Sequence, residues 1–498
     1  MTMDRSQDYL IGLVDELRAQ SRETEWLEFK VNQADPKAIG KYLSALANSA
    51  ALHGKTSAHV VWGIDDERHD VVGTTFVPGA RRVGNELLEN WLLRLLEPKI
   101  GFRFLSSEFD GRPVVVLQID PAFRHPVRFQ GQEYIRVGPV TKKLKDVPET
   151  ERDLWRALDR AVYEDQVIVE RAPADEVLQL LDYPAFFDLL EQPLPANREG
   201  ILEALETDNL IRPCGAGGWD ITCLGAILFA KKLDELPQLK RKAVRVIQYR
   251  GTGRTETVKE KEGAKGYACG FEGLIGYING LLPSNEVIGQ ALRKTVPMFP
   301  ELAVRELVAN ALIHQDFFVS GAGPMVEIFE DRIEITNPGE PLVDTQRFVD
   351  TPPKSRNEAL ASLMRRFRIC EERGSGIDKV VFQVELFQLP APLFEAPKGF
   401  TRTVLFAHKA LSEMDKVDRV RACYLHACLR YVARKPMTNA TVRERFGIAE
   451  KNAATASRLL GEAVESGMVF VRDPEAGTRN RTYLPFWAGP PAAGEEVV

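Results

Sequence analysis

The chain has 498 residues, 44% hydrophobic and 27% charged, with 65 Lys and Arg against 71 Asp and Glu for a net charge of −6. That length is too great for one hydrophobic core and predicts about three or four domains, while the acidic balance excludes a uniformly basic nucleic-acid coat. No apolar run approaches the ~20 residues of a membrane span, the first residues lack the basic start and apolar core of a secretion signal, and six scattered cysteines without a CxxC pair exclude a disulfide framework or zinc ribbon; a cytoplasmic location is expected by elimination.

Apolar spacing predicts an amphipathic helix over 9–20 (Leu10, Ile11, Leu13, Val14, Leu17), a strand over 27–31 and a helix over 37–52. A strand over 59–64 follows and ends in the acidic turn Asp65-Asp66-Glu67. A helix over 83–96 and strands over 113–119 and 134–137 complete an α+β domain, 9–148. The stretch 149–241 reads as a mostly helical bridge. Its helix over 197–208, Gly-rich turn and Trp219-Asp-Ile-Thr segment are wing-like, but Glu199, Glu203, Glu206 and Asp208 favour scaffold over DNA contact. A third domain, 242–408, opens with a strand over 243–249, and 409–417 reads as a linker. The last domain, 418–487, reads as helices over 420–434, 439–446 and 450–466, then strands over 468–472 and 481–484. That is the order of a winged helix-turn-helix. The tail, 488–498, is predicted disordered from its Gly, Pro and Ala content.

The third domain carries the most informative pattern. Glu306-Leu-Val-Ala-Asn310-Ala-Leu-Ile-His314 places Glu306, Asn310 and His314 on one helix face and fills much of the rest with apolar residues. A carboxylate and a carboxamide one turn apart can polarise water and hold a divalent cation against phosphates. Strands over 325–329 and 332–336 form a hairpin leading into Asn337-Pro-Gly339. Further on, Arg373-Gly374-Ser375-Gly376-Ile377 opens a helix, where backbone N–H groups and the helix N-terminus favour phosphate. The ordered set resembles the Bergerat (GHKL) ATP fold of histidine kinases and gyrase B, in the divergent RecG-like branch found with Schlafen-type N-terminal domains. The resemblance implies that Glu306 positions water, Asn310 binds Mg²⁺, Asn337 and Gly339 meet adenine, and Gly374, Ser375 and Gly376 line the phosphate lid. This chain has Asn337-Pro-Gly-Glu-Pro where the larger family has Asp-x-Gly-x-Gly, so ATP binding is better supported than hydrolysis.

At the N-terminus, Glu23-Thr-Glu-Trp-Leu-Glu28-Phe-Lys30 precedes a helix with Ala45-Leu-Ala-Asn48 and then Gly63-Ile-Asp65-Asp66. This resembles the Schlafen AlbA_2 domain, whose nucleases use an acidic triad. The matching positions are Glu23, Glu28 and Asp66, with Asp65 as available as Asp66. Three converging carboxylates need a hard cation such as Mg²⁺ or Mn²⁺ among them, which can activate water at a phosphate. Lys30 shares a strand face with Glu28 and could contact a phosphate backbone. The acids could equally serve nucleic-acid holding without cleavage, or be solvated or paired with Lys30 or Arg22.

In the last domain, 419–487 holds twelve Lys and Arg against six Asp and Glu. Lys451, Asn452, Thr455 and Arg458 stand where a recognition helix meets the groove, and Arg472, Arg479 and Arg481 edge the wing. A protein-binding winged helix is the alternative. The fold class is thus multidomain α+β: an AlbA_2-like domain, a helical and winged bridge, a GHKL-type α/β sandwich and a C-terminal winged helix. The expected function is an ATP-controlled, metal-dependent Schlafen-like nuclease acting on RNA. By resemblance it would act as a homodimer or higher homo-oligomer in antiphage defence. The alternatives are a non-catalytic ATP-responsive DNA-binding regulator and an assembly ATPase with a protein-binding winged helix.

Overall fold

In the computed structural model the described residues are 2–19, 24–109, 111–123, 125–159, 162–214, 218–288, 293–370, 376–477 and 480–488. They fall into two units, 1–177 with 206–223, and 178–205 with 224–498.

In the first unit, α1 (Thr2–Arg18), β1 (Leu27–Lys30), α2 (Pro36–Leu52), β2 (Ala58–Trp62), α3 (Leu88–Leu95), β3 (Leu96–Glu97), β4 (Phe102–Phe109), β5 (Arg112–Ile119), β6 (Arg128–Phe129), β7 (Gln132–Val137) and β8 (Val140–Lys143) build two four-stranded sheets. Their orders are β1-β2-β5-β4 and β8-β7-β6-β3. The two-residue period of the strands sorts the first sheet into two cores. Leu27, Phe29 and Val61 pack under Leu10, Leu13, Val14 and Leu17 of α1. Val60, Trp62, Val115 and Leu117 face Ile39, Leu43 and Leu46 of α2, together with Phe129 and Ile135 of the second sheet. Helix α2 starts cleanly because Asp35 caps it, accepting the Ala38 N–H at 2.8 Å, with Pro36 in its first turn.

Gly40 is required where α2 meets the Phe129 ring, since a Cβ there would collide with it. The polar seam of α2 does different work. Ser44, Asn48 and Ser49 are fully buried and bond to the backbone of Val127, Tyr134 and Arg136, satisfying the edge of β7 beyond the end of β6.

The helix expected over 83–96 is shorter than the apolar spacing suggests. Gly84, at φ +63°, turns a small hairpin between Arg82–Val83 and Glu86–Leu87, and only Leu88–Leu95 is helical. The mostly helical bridge also contains a strand that the sequence reading lacked: Val167–Ala172 pairs with Trp219–Thr222, which pairs with Ile211–Pro213.

In the second unit, β9 (Arg245–Tyr249), β10 (Thr257–Glu262), α4 (Tyr267–Leu281), α5 (Glu301–Ile313), β11 (Met325–Ile328), β12 (Arg332–Pro338), α6 (Glu358–Arg366), α7 (Gly376–Leu386), β13 (Leu393–Glu395) and β14 (Phe400–Phe406) form a six-stranded sheet with helices. The strand order is β10-β9-β11-β12-β14-β13, with β9 and β11 parallel and the other pairs antiparallel. Glu327 and Glu334 stand opposite each other in register on β11 and β12 and are almost fully buried. Arg254 bonds both, at 2.7–2.8 Å, and Arg332 bonds Glu334 at 2.7 Å, so the two carboxylates are neutralised.

Helices α8 (Lys416–Val432), α9 (Asn439–Phe446) and α10 (Ala453–Glu465) follow, then a hairpin of Val469–Val471 with Tyr483–Pro485. Thr438 and Thr441 make a capping box at α9, which ends on Gly447 at φ +62°. The helix expected over 450–466 begins instead as a 3-10 turn, Glu450–Asn452, before α10. Asn439 locks the two helices by donating to the Ala453 carbonyl and Ser457 hydroxyl, each at 3.0 Å. The 488–498 tail falls almost wholly outside the described residues. Among the described residues no helix is long and apolar enough to cross a membrane.

Candidate functional site

The apolar residues of helix α5 set its orientation. Ala303, Val304, Leu307, Val308 and Leu312 are nearly or fully buried. Burying each of the larger ones contributes about 1.5–3 kcal/mol and fixes the helix rotation. Glu306, Asn310 and His314 then line a cavity of about 390 Å³. Its floor is two registered pairs, Ile335 with Thr403 and Asn337 with Thr401, contributed by β12 and β14. Gly376 and Ile377 at the start of α7 line it too, so the helix face and the glycine helix start named from the sequence meet in one cavity.

Asn337 is buried, and its Nδ2 donates to the Pro338 carbonyl at 3.2 Å. Gly339 takes φ +103°, where a Cβ would collide with the Arg356 guanidinium. Its carbonyl accepts the Thr401 hydroxyl at 2.8 Å. At Gly376 a Cβ would lie 2.9 Å from Glu306 Oε2. Gly374 and Ser375 lie outside the described residues.

The sequence reading missed the segment 352–357. Arg356 donates to the carbonyls of His314 at 3.1 Å and Glu340 at 2.7 Å, and Asn357 donates to those of Ile313 and Gln315 at 2.7 and 2.8 Å. Together they satisfy backbone carbonyls at the end of α5, orphaned by helix geometry. Lys354 and Arg365 also line the cavity. Pro352-Pro-Lys-Ser-Arg-Asn357 was the available signal: two prolines and two cations just before a helix. Burial, with the Arg356 charge adding, pushes the His314 imidazole down to about 4 and keeps it neutral.

Glu23 lies outside the described residues. Strand alternation turns Glu28 away from Leu27 and Phe29 toward the second sheet, where its buried carboxylate pairs with Arg136 and with Lys30 Nζ at 2.6 Å. Lys30 is therefore committed to Glu28 and to the Phe29 carbonyl at 2.8 Å. Asp65 accepts the N–H groups of Glu67 and Arg68, closing the turn, while Asp66 is exposed. Among the described residues no group of three His, Cys, Asp or Glu side chains is placed to hold a metal ion.

In the C-terminal helices Lys451 and Asn452 are exposed in the 3-10 turn, Arg458 is exposed on α10 and Thr455 is half-buried beside it. Arg481 donates to the Ala476 carbonyl at 3.3 Å, and Arg479 lies outside the described residues.

Residues 23–145 match the family described as "Schlafen, AlbA_2", and residues 321–405 the family described as "Putative ATP-dependent DNA helicase recG C-terminal". The chain carries a Schlafen AlbA_2 domain and a RecG-related ATPase-type domain, and the second implies a capacity to bind ATP. Among solved structures it is similar to the DIP2311 protein from Corynebacterium diphtheriae, at 18% identity over 96% of this chain and 97% of that one, with a TM-score of 0.41. The N-terminal domain of the putative ATP-dependent DNA helicase RecG-related protein from Nitrosomonas europaea is 20% identical over 28% of this chain and 91% of that one, with a TM-score of 0.19. No curated protein matches the chain.

Proposed function

We propose that this protein binds ATP with Mg²⁺ in the cavity under α5 and that bound ATP controls how it holds nucleic acid. The observation carrying this reading is the meeting of Glu306 and Asn310 with Asn337 on the sheet floor and with the glycine start of α7, in a cavity sized for a nucleotide. The oxygens of Glu306 and Asn310 are the hard donors that Mg²⁺ takes. The Asn337 NH₂ group donates one of its N–H bonds to Pro338, and its oxygen is the atom suited to accept from an adenine amino group. We read the sheet and its helices as a GHKL-type sandwich, and the C-terminal helices with their hairpin as a winged helix that carries the basic surplus.

The pairing of Glu28 with Arg136 and Lys30 supports holding over cutting, because a carboxylate in two ion pairs is a poor candidate for a metal ligand. This favours the ATP-responsive binding protein over the metal-dependent nuclease. Calorimetry with ATP and Mg²⁺ tests the nucleotide half: wild type binds and Asn310→Ala loses most of the affinity. Incubation with tRNA, single-stranded RNA and duplex DNA in Mg²⁺ or Mn²⁺, with and without ATP, tests the other half. Retention without cleavage is expected. Cleavage lost in Glu23→Ala/Glu28→Ala would restore the nuclease reading, and no retention of any of the three would end the nucleic-acid reading.

A further inference from the structure

Two walls of the cavity continue directly into the C-terminal helices. The first is the segment between β12 and α6. Phe348 and Thr351 line the cavity. Between them, Val349 points the other way, into a core with Ala422, Tyr424, Leu425 and Cys428 of α8. Just before them, the Gln346 carbonyl accepts the Tyr424 hydroxyl, and the Arg347 guanidinium sits 4.7 Å from the centroid of the Trp487 ring. Trp487 in turn donates to the Tyr424 oxygen at 3.1 Å. Phe348, on the cavity side, is thus flanked in the chain by residues held against α8.

The second wall is α7. Gly376 and Ile377 line the cavity, and Ile377 and Val381 join the same core against α8. The far end of this helix carries Glu385. His426 Nδ1 of α8 lies 3.0 and 3.1 Å from its two carboxylate oxygens, and Arg445 Nε of α9 lies 3.6 Å from one of them. Both basic side chains are nearly fully buried, and Arg445 also donates to the Leu389 carbonyl at 2.7 Å. A carboxylate shared by two buried basic groups holds position strongly, because moving it away leaves Arg445 without its charge partner in a dry core. One rigid helix thus joins the glycine facing Glu306 to the clamp on α8 and α9.

We propose that nucleotide occupancy of the cavity and the conformation of α8–α10 are linked through these two routes, so that ATP sets the state of the C-terminal surface. This rests on the ATP-binding reading above. A ligand in the cavity fixes Phe348, Thr351 and the Gly376 end of α7. The closely packed contacts carry that restraint to α8 and, through Glu385 and Arg445, to α9, which Asn439 locks to α10. Linkage is reciprocal: whatever binds α10 changes ATP affinity by the same factor that ATP changes its own. A continuous chain of packed and bonded groups runs between the cavity and α8–α10.

Hydrogen exchange of the full chain with and without ATP and Mg²⁺ reads this directly. ATP is expected to slow exchange in 342–370 and 376–386 and also, by about fivefold or more, in 416–446, a factor at the low end of ordinary site-to-site coupling. Tyr424→Phe removes the bond to Gln346 and keeps the ring, so the core stays filled. Glu385→Gln removes the charge and keeps the shape. Each variant is expected to bind ATP within about threefold of wild type while losing much of the protection in 416–446. Wild type that binds ATP and gains protection only in 342–370 and 376–386 overturns the linkage and leaves ATP binding standing. Full protection of 416–446 in both variants overturns the two routes. Absence of ATP binding overturns the nucleotide reading and this proposal with it.

Discussion

Gly376 leaves the space that Glu306 occupies: a Cβ on the glycine would stand 2.9 Å from Glu306 Oε2 and 3.6 Å from Asn310 Nδ2. The first turn of α7 and the middle of α5 are thus close enough to act on one ligand, and only hydrogen at position 376 permits it.

Gly376→Ala should therefore separate folding from binding. The helix preference of alanine opposes the cost of displacing Glu306, so the melting temperature should change little. The added methyl pushes the buried Glu306 carboxylate off its position, and ATP affinity should drop about tenfold, a change of about 1.4 kcal/mol. Calorimetry beside a thermal melt decides it; unchanged affinity would mean that Glu306 has no part in holding nucleotide.

The buried His314 gives a pH signature. Its imidazole titrates near 4 in the folded protein, through burial first and the Arg356 charge second, against about 6.5 when unfolded. The unfolded chain takes up the proton first as pH falls. The stability that this neutral group supplies is complete above about pH 6.5 and is lost as pH drops toward 4, by about 3 kcal/mol at most. His314→Asn should flatten the fall of melting temperature across that window. An unchanged slope would show that other groups set it, with His59, also pushed down to about 4 by burial, the next to replace.

Arg254→Ala removes the cation that bonds both Glu327 and Glu334. Arg332 still serves Glu334, and the Arg254 side chain is itself 49% exposed. A loss of about 2–3 kcal/mol in chemical denaturation is expected, below the range for a fully buried pair. Adding Glu327→Gln should recover much of it. No recovery would locate the cost in lost packing of the arginine stem rather than in the stranded charge.

At the C-terminal surface, Lys451→Ala and Arg458→Ala should weaken nucleic-acid retention uniformly across sequences. Each should reduce the slope of log affinity against log salt by about one. A salt slope identical to wild type in the double variant would place the phosphate contacts elsewhere.

What could be read from the sequence was what repeats locally. Glu306 and Asn310 were visible because a one-turn spacing fixes a shared face wherever the helix ends up. Leu27 and Phe29 announced a strand by alternation. Gly84 marked a turn that the apolar spacing around it hid, and the helix reading overran it. Invisible were partnerships set by the tertiary fold. Arg136 lies far along the chain from Glu28, and nothing in either segment says that the two will pair. Thr401 and Thr403 enter the cavity floor only because β14 registers against β12, and Arg356 finds the end of α5 across a long loop. Glu28 and Lys30 were legible as sharing a strand face, but spacing does not report that Arg136 stands opposite them.

The seam of Ser44, Asn48 and Ser49 on α2 has a consequence of its own. Those three side chains act in place of a neighbouring strand, occupying peptide groups of Tyr134 and Arg136 on β7 that would otherwise invite another chain to dock by extending the sheet. With that border sealed by a helix, the second sheet cannot lengthen there, either by capturing a peptide or by stacking onto a copy of itself. Truncating the seam, as in Asn48→Ala, would do more than loosen a helix: it would uncover an adhesive margin and convert a folding defect into self-association.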